Sequence, residues 1–105
     1  MTGNKPHFLQ ELLNKMGKEF HYIISGRVQG VNFRRIVKFH AETLGLLGYA
    51  KNLPDGNVEV CIIGREEEAD KLMKIIKLEP LPIMIKSISQ IVEPIKKSYT
   101  SFEVL

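Results

Sequence analysis

Arg34 ends the segment IISGRVQGVNFR, which runs from Ile23. The segment reads as a strand entering a Gly-bounded loop and then opening a helix. Gly26 and Gly30 bracket Arg27, Val28 and Gln29, and Arg34 falls in the first turn of the helix. A tight loop whose backbone N–H groups converge at a helix N-terminus is an anion site in waiting. An arginine beside it adds a planar fork of donors that suits phosphate or carboxylate oxygens. An ordinary strand-to-helix turn with a solvated arginine would read the same way. Short Gly motifs recur by chance, so the loop alone leaves both readings open.

A second segment is GYAKNLPDGNVEVCIIG, Gly48 to Gly64. Asn52 stands where the first strand of this segment meets the turn Leu-Pro-Asp-Gly. By itself it reads equally as an asparagine bonding to its own turn. Together the two segments resemble the signature regions of acylphosphatases, which hydrolyse carboxyl–phosphate mixed anhydrides. That family reads GxVQGVxFR, then G-aromatic-x-x-N-x-x-x-G-x-V-x-x-x-x-x-G after a helix. Here GRVQGVNFR ends at Arg34, and Gly48, Tyr49, Asn52, Gly56, Val58 and Gly64 are all in step. The resemblance covers residues 20–105.

The resemblance implies a division of labour. Arg34 and the backbone amides of Val28, Gln29, Gly30, Val31, Asn32 and Phe33 hold the phosphoryl oxygens, while the Asn52 amide orients the attacking water. A phosphoryl group in flight spreads negative charge over its equatorial oxygens, and fixed donors aimed there lower the barrier. An amide accepts from water but is too weak a base to take its proton. That proton goes to the substrate phosphate or to solvent, which suffices because an acyl phosphate has a good carboxylate leaving group. The implied partners are a small acyl phosphate as substrate and inorganic phosphate as product and inhibitor. No cofactor is expected. Neither motif carries a His/Cys cluster or a carboxylate pair, so no metal is expected in the reaction. Asn32 stands where the family often has glycine; asparagine tolerates left-handed backbone angles, so a changed pocket rim with an intact cradle is expected. Glu79-Pro80 replaces a common Gly-Pro and bears on the end of the second helix.

Composition narrows the alternatives. The chain has 105 residues, 44% hydrophobic and 26% charged, with a net charge of +3. That suits one globular domain and mildly favours anionic ligands. The lysines are dispersed, so no nucleic-acid tract is read. The predicted strand NVEVCII has no aromatic, unlike the RNP1 strand of RNA-recognition domains. A P-loop pattern is absent. No apolar run approaches the roughly 20 residues that cross a bilayer, and the first residues lack a signal-peptide core. Cys61, the single cysteine, reads as a small buried residue in a reducing compartment, so a cytoplasmic setting is expected. Domains this small are often monomers, and a monomer is expected here, although the sequence does not fix the oligomeric state.

The elements follow from periodicity. Phe8, Leu9, Leu12, Leu13 and Met16 recur at helical spacing after Pro6, which predicts a short helix over 6–16, so residues 1–18 read as an N-terminal helical extension and 19–105 as the domain. Strands are expected at 20–25, 47–52, 57–63 and 83–92, with a bulge in the fourth, and a short last strand at 100–105. Helices are expected at 33–44 and 66–78. The order β-α-β-β-α-β is the ferredoxin-like split βαβ, an α+β sandwich with two helices on one face of an antiparallel sheet. The fold does not choose between functions. A non-catalytic anion-binding regulatory module remains the alternative. A domain within a larger carbamoyl-group maturation enzyme is a further one, against which the chain's length argues.

Overall fold

The computed structural model describes residues 17–105; the expected helix at 6–16 lies outside them. Five strands and two helices follow in the order β1 (Lys18–Arg27), α1 (Phe33–Thr43), β2 (Leu47–Asn52), β3 (Val58–Gly64), α2 (Glu66–Ile76), β4 (Met84–Glu93) and β5 (Phe102–Val104). The sheet order is β4-β1-β3-β2-β5. The first four strands pair antiparallel, whereas β5 lies parallel to β2, with Gly48 opposite Phe102 and Ala50 opposite Val104. The sheet is therefore mixed. The short C-terminal strand supplies its one parallel pairing among the described residues.

Alternation decides which face is buried. Phe20, Tyr22 and Ile24 of β1 and Val58, Val60 and Ile62 of β3 point into the core. There they meet Phe33, Val37 and Ala41 of α1 and Ala69, Leu72, Met73 and Ile76 of α2. Each large apolar side chain buried in this way contributes roughly 1.5–3 kcal/mol relative to exposure. The opposite sheet face carries Glu19, His21, Glu59 and Cys61, placed side by side by the β1–β3 register.

Local chemistry sets the element ends. Gly45 has φ +72°, and Leu46 N–H reaches back to the Ala41 carbonyl at 2.8 Å, which closes α1. The three glutamates at the start of α2 suit the positive end of the helix, and Glu68 also accepts from the Arg65 N–H at 3.2 Å. The expected bulge is present. The β1–β4 pairing steps from Ser25–Ser87 to Gly26–Ile85, leaving Lys86 extra on β4. At Gly26 a Cβ would strike the backbone of Met84 and Lys86, so only glycine allows this approach.

Candidate active site

The loop between β1 and α1 is pinned at both ends by apolar anchors, since Val28 and Phe33 are each 1% exposed. Between them the chain turns through two left-handed residues, Gly30 (φ +73°) and Asn32 (φ +66°, ψ +21°). Asn32 occupies the position before the helix, but its side chain makes no capping bond. The first bond of the helix is Ile36 N–H to the Asn32 carbonyl at 3.2 Å. The amides of the preceding residues therefore have no intrahelical acceptor. No acidic residue stands in this first turn; Arg34 and Arg35 do. The usual helix compensates its positive end with carboxylates. Here arginines add to it, and the combination calls for an external anion.

A cleft of about 210 Å³ opens at this point, lined by Val28, Gly30, Asn32, Phe33, Arg34, Arg35 and Asn52. Asn52 is carried there by the β2–β3 hairpin. Leu53 N–H donates to the Asn57 carbonyl at 2.9 Å, and Gly56 N–H to the Leu53 carbonyl at 3.2 Å. The Asp55 carboxylate caps the turn by accepting from Asn57 N–H at 3.0 Å. These bonds shape the turn that follows Asn52. The Oδ1 atom of Asn52 is buried and, among the described residues, has no hydrogen-bond partner. Buried polar atoms are satisfied in the great majority of cases, so an acceptor left open beside a cleft points to a donor from outside the protein.

Two residues of the expected loop do not line the cleft. The Gln29 side chain turns toward the hairpin, where its Nε2 donates to the carbonyls of Leu53 and Asn57, both at 2.8 Å. Gln29 thus staples the loop to the turn that carries Asn52. Val31 packs against the core cluster. The structure adds two residues that the sequence reasoning passed over. Arg35 lines the cleft, a place that its position one residue into the helix after Arg34 could have suggested. Leu105 offers its main-chain oxygen to Arg34 Nη1 across 71 positions of sequence, and nothing in the local pattern signals that. Parallel pairing of β5 with β2 makes this contact possible. The contact orients the guanidinium through one of its donors, the one hydrogen bond of the Arg34 side chain among the described residues.

A larger open groove, about 570 Å³, runs along residues 77–88 and is lined by Lys77, Glu79 and Lys86 among apolar side chains. It lacks the paired arginines and free amides of the smaller cleft. His40 bonds to Glu79 at 2.9 Å and ties α1 to the segment after α2.

The acylphosphatase family model matches residues 20–104. The chain belongs to the acylphosphatase family. An acylphosphatase of Caldivirga maquilingensis is 40% identical over 91 residues, covering 84% of this chain and 94% of the relative. An acylphosphatase of Helicobacter hepaticus is 38% identical over 95 residues, covering 86% and 99%. The crystal structure of the Bacillus subtilis acylphosphatase superposes with a TM-score of 0.77 at 28% identity, covering 84% of this chain and 98% of that one. The ferredoxin-like architecture read from the element order is thus the architecture of the family. Both signature segments fall inside the matched region, and they supply the two walls of the cleft.

Proposed function

We propose that this acylphosphatase-family chain hydrolyses the carboxyl–phosphate bond of small acyl phosphates, releasing a carboxylate and inorganic phosphate. The observation that carries this reading is the buried Oδ1 of Asn52, without a hydrogen-bond partner among the described residues, beside the cleft that Arg34 also lines. Arg34 and the amides of the Val28–Phe33 loop hold the phosphoryl oxygens. Asn52 accepts a hydrogen from the attacking water and aims its oxygen at phosphorus, in line with the departing carboxylate. The proton passes to the phosphate or to solvent. The donors are fixed before the substrate arrives, so the developing charge meets a field that needs no reorganisation. The arginines and the helix N-terminus supply that field, and hydrolysis by this route needs no metal.

The cleft is small and its polar groups address phosphate, so the acyl part of the substrate projects outward and is read weakly. The expected profile is a monomer that accepts several acyl phosphates. A free buried cysteine fits a cytoplasmic, reducing setting. Phosphate release from an aromatic acyl phosphate, followed spectroscopically, tests the reading. Turnover supports it. Phosphate binding without turnover would assign the chain instead to a non-catalytic anion-binding module.

A further inference from the structure

The sheet face away from the helices carries a cluster that the cleft chemistry does not use. His21 sits at its centre, at the opposite end of β1 from the loop. Its Nε2 lies 2.9 Å from Glu19 Oε1, 3.5 Å from Glu93 Oε1 and 3.9 Å from Cys61 Sγ. The donor atoms of Glu19, His21 and Cys61 all lie within 4.8 Å of one another. This is not a patch of solvated acids, because Glu19 is 4% exposed and Cys61 1%.

From these atoms we propose that Glu19, His21 and Cys61 form a binding site for a divalent transition-metal ion of borderline softness, for which Zn²⁺ is the probe, with the Glu93 carboxylate at its rim. The site is separate from the cleft and serves the structure.

Three observations carry the assignment. The spacing is the first. Zinc bonds of about 2.0–2.3 Å in tetrahedral geometry place N and O ligands roughly 3.4 Å apart and N and S ligands roughly 3.6 Å apart. The observed 2.9 Å to Glu19 and 3.9 Å to Cys61 bracket those values, and the Glu19 and Cys61 donor atoms lie within 4.8 Å of each other, so modest side-chain shifts would admit the ion. The second is the surrounding shell. Metal-bound histidines donate their other ring nitrogen to a carboxylate, and His21 Nδ1 faces Glu59 Oε2 at 2.9 Å. Glu19 is oriented in the same sense. Its Oε2 accepts from the main-chain N–H groups of Lys96 and Lys97 at 2.8 and 3.3 Å, leaving Oε1 for the ion. The third is charge. Three carboxylates surround one imidazole, and the ammonium that meets Glu93, at 3.2 Å, is that of the exposed Lys96. A divalent cation balances this set.

Coordination replaces the Sγ proton and any proton on Nε2, and both pass to solvent.

Titration of the full chain with Zn²⁺, followed by calorimetry, is expected to show one equivalent bound. Co²⁺ in its place is expected to give the near-ultraviolet thiolate charge-transfer absorption. Cys61→Ser removes that absorption and His21→Gln removes binding. Glu59→Gln, which alters only the outer shell, weakens binding by ~10–100-fold. Glu93→Gln lies at a half-exposed position, so it keeps the test open should Cys61→Ser fail to fold; it too weakens binding. Absence of binding, or Co²⁺ binding with no thiolate band and unchanged by His21→Gln, overturns the proposal. The readouts involve no acyl phosphate, so they stand or fall apart from the hydrolytic activity.

Discussion

Replacing Asn52 with alanine separates catalysis from stability. The Oδ1 atom has no hydrogen-bond partner among the described residues, so its loss strands no donor of the protein. The cost to folding is then the lost burial of a partly buried side chain, roughly 1 kcal/mol at 25 cal/mol/Å². Melting is therefore expected to change little. Catalysis is expected to fall steeply. Loss of one positioned polar group costs about 10²–10³ in kcat, or ~2.7–4 kcal/mol. A bound phosphate ion needs no attacking water, so its inhibition constant should change little. The assay pairs thermal unfolding with steady-state turnover of an aromatic acyl phosphate and phosphate inhibition. A variant that melts much earlier than the parent refutes the account of Oδ1. A variant that keeps near-normal kcat, or loses phosphate affinity in step with kcat, refutes the assignment of Asn52 to the water.

Arg34→Ala is expected to weaken phosphate inhibition and depress kcat together, because the guanidinium is assigned to ground and transition states alike; near-normal turnover would refute the assignment of Arg34 to the phosphoryl group. Gln29→Ala removes two bonds whose acceptors each keep another backbone donor, so it should cost about 1–3 kcal/mol of stability and lower kcat by displacing the hairpin, with phosphate affinity less affected. Unchanged melting in that variant would show the staple to be idle. Asn32→Gly should leave phosphate affinity intact, since glycine accepts a φ of +66° and the side chain makes no capping bond; lost phosphate binding would make the side chain a ligand. Exhaustive chelation should leave kcat intact at temperatures well below melting, and restoration of lost activity by Mg²⁺ would contradict a metal-free reaction.

The sequence was most readable where a local rule applied. Alternation in 20–25 and 58–62 separated the core face of each strand from its outer face, and helical spacing identified the buried side of both helices. The two motif segments carried Arg34 and Asn52 because each lies next to its own turn chemistry. Where distant strands meet, the local pattern was silent. Gln29 reads as one more loop residue until the hairpin is folded against it. The contact of Leu105 with Arg34 depends on a parallel pairing that no period in 100–105 announces. The cluster around Cys61 was hidden for the same reason. His21 and Cys61 are neighbours only through the β1–β3 register, and Glu93 joins them through β4.

That register also bears on how the chain folds. β1 pairs with β3 on one side and β4 on the other, so it waits for segments made long after it. Only the β2–β3 hairpin joins strands that are close in sequence. Hairpins of this kind close early, whereas pairings between remote segments bear the loop-closure entropy and come late. Asn52 would then reach its turn first, Arg34 would follow with its helix, and the Leu105 contact would come last. Regain of hydrolysis during refolding should lag behind recovery of the sheet's circular dichroism, which makes turnover a clock for the final docking step.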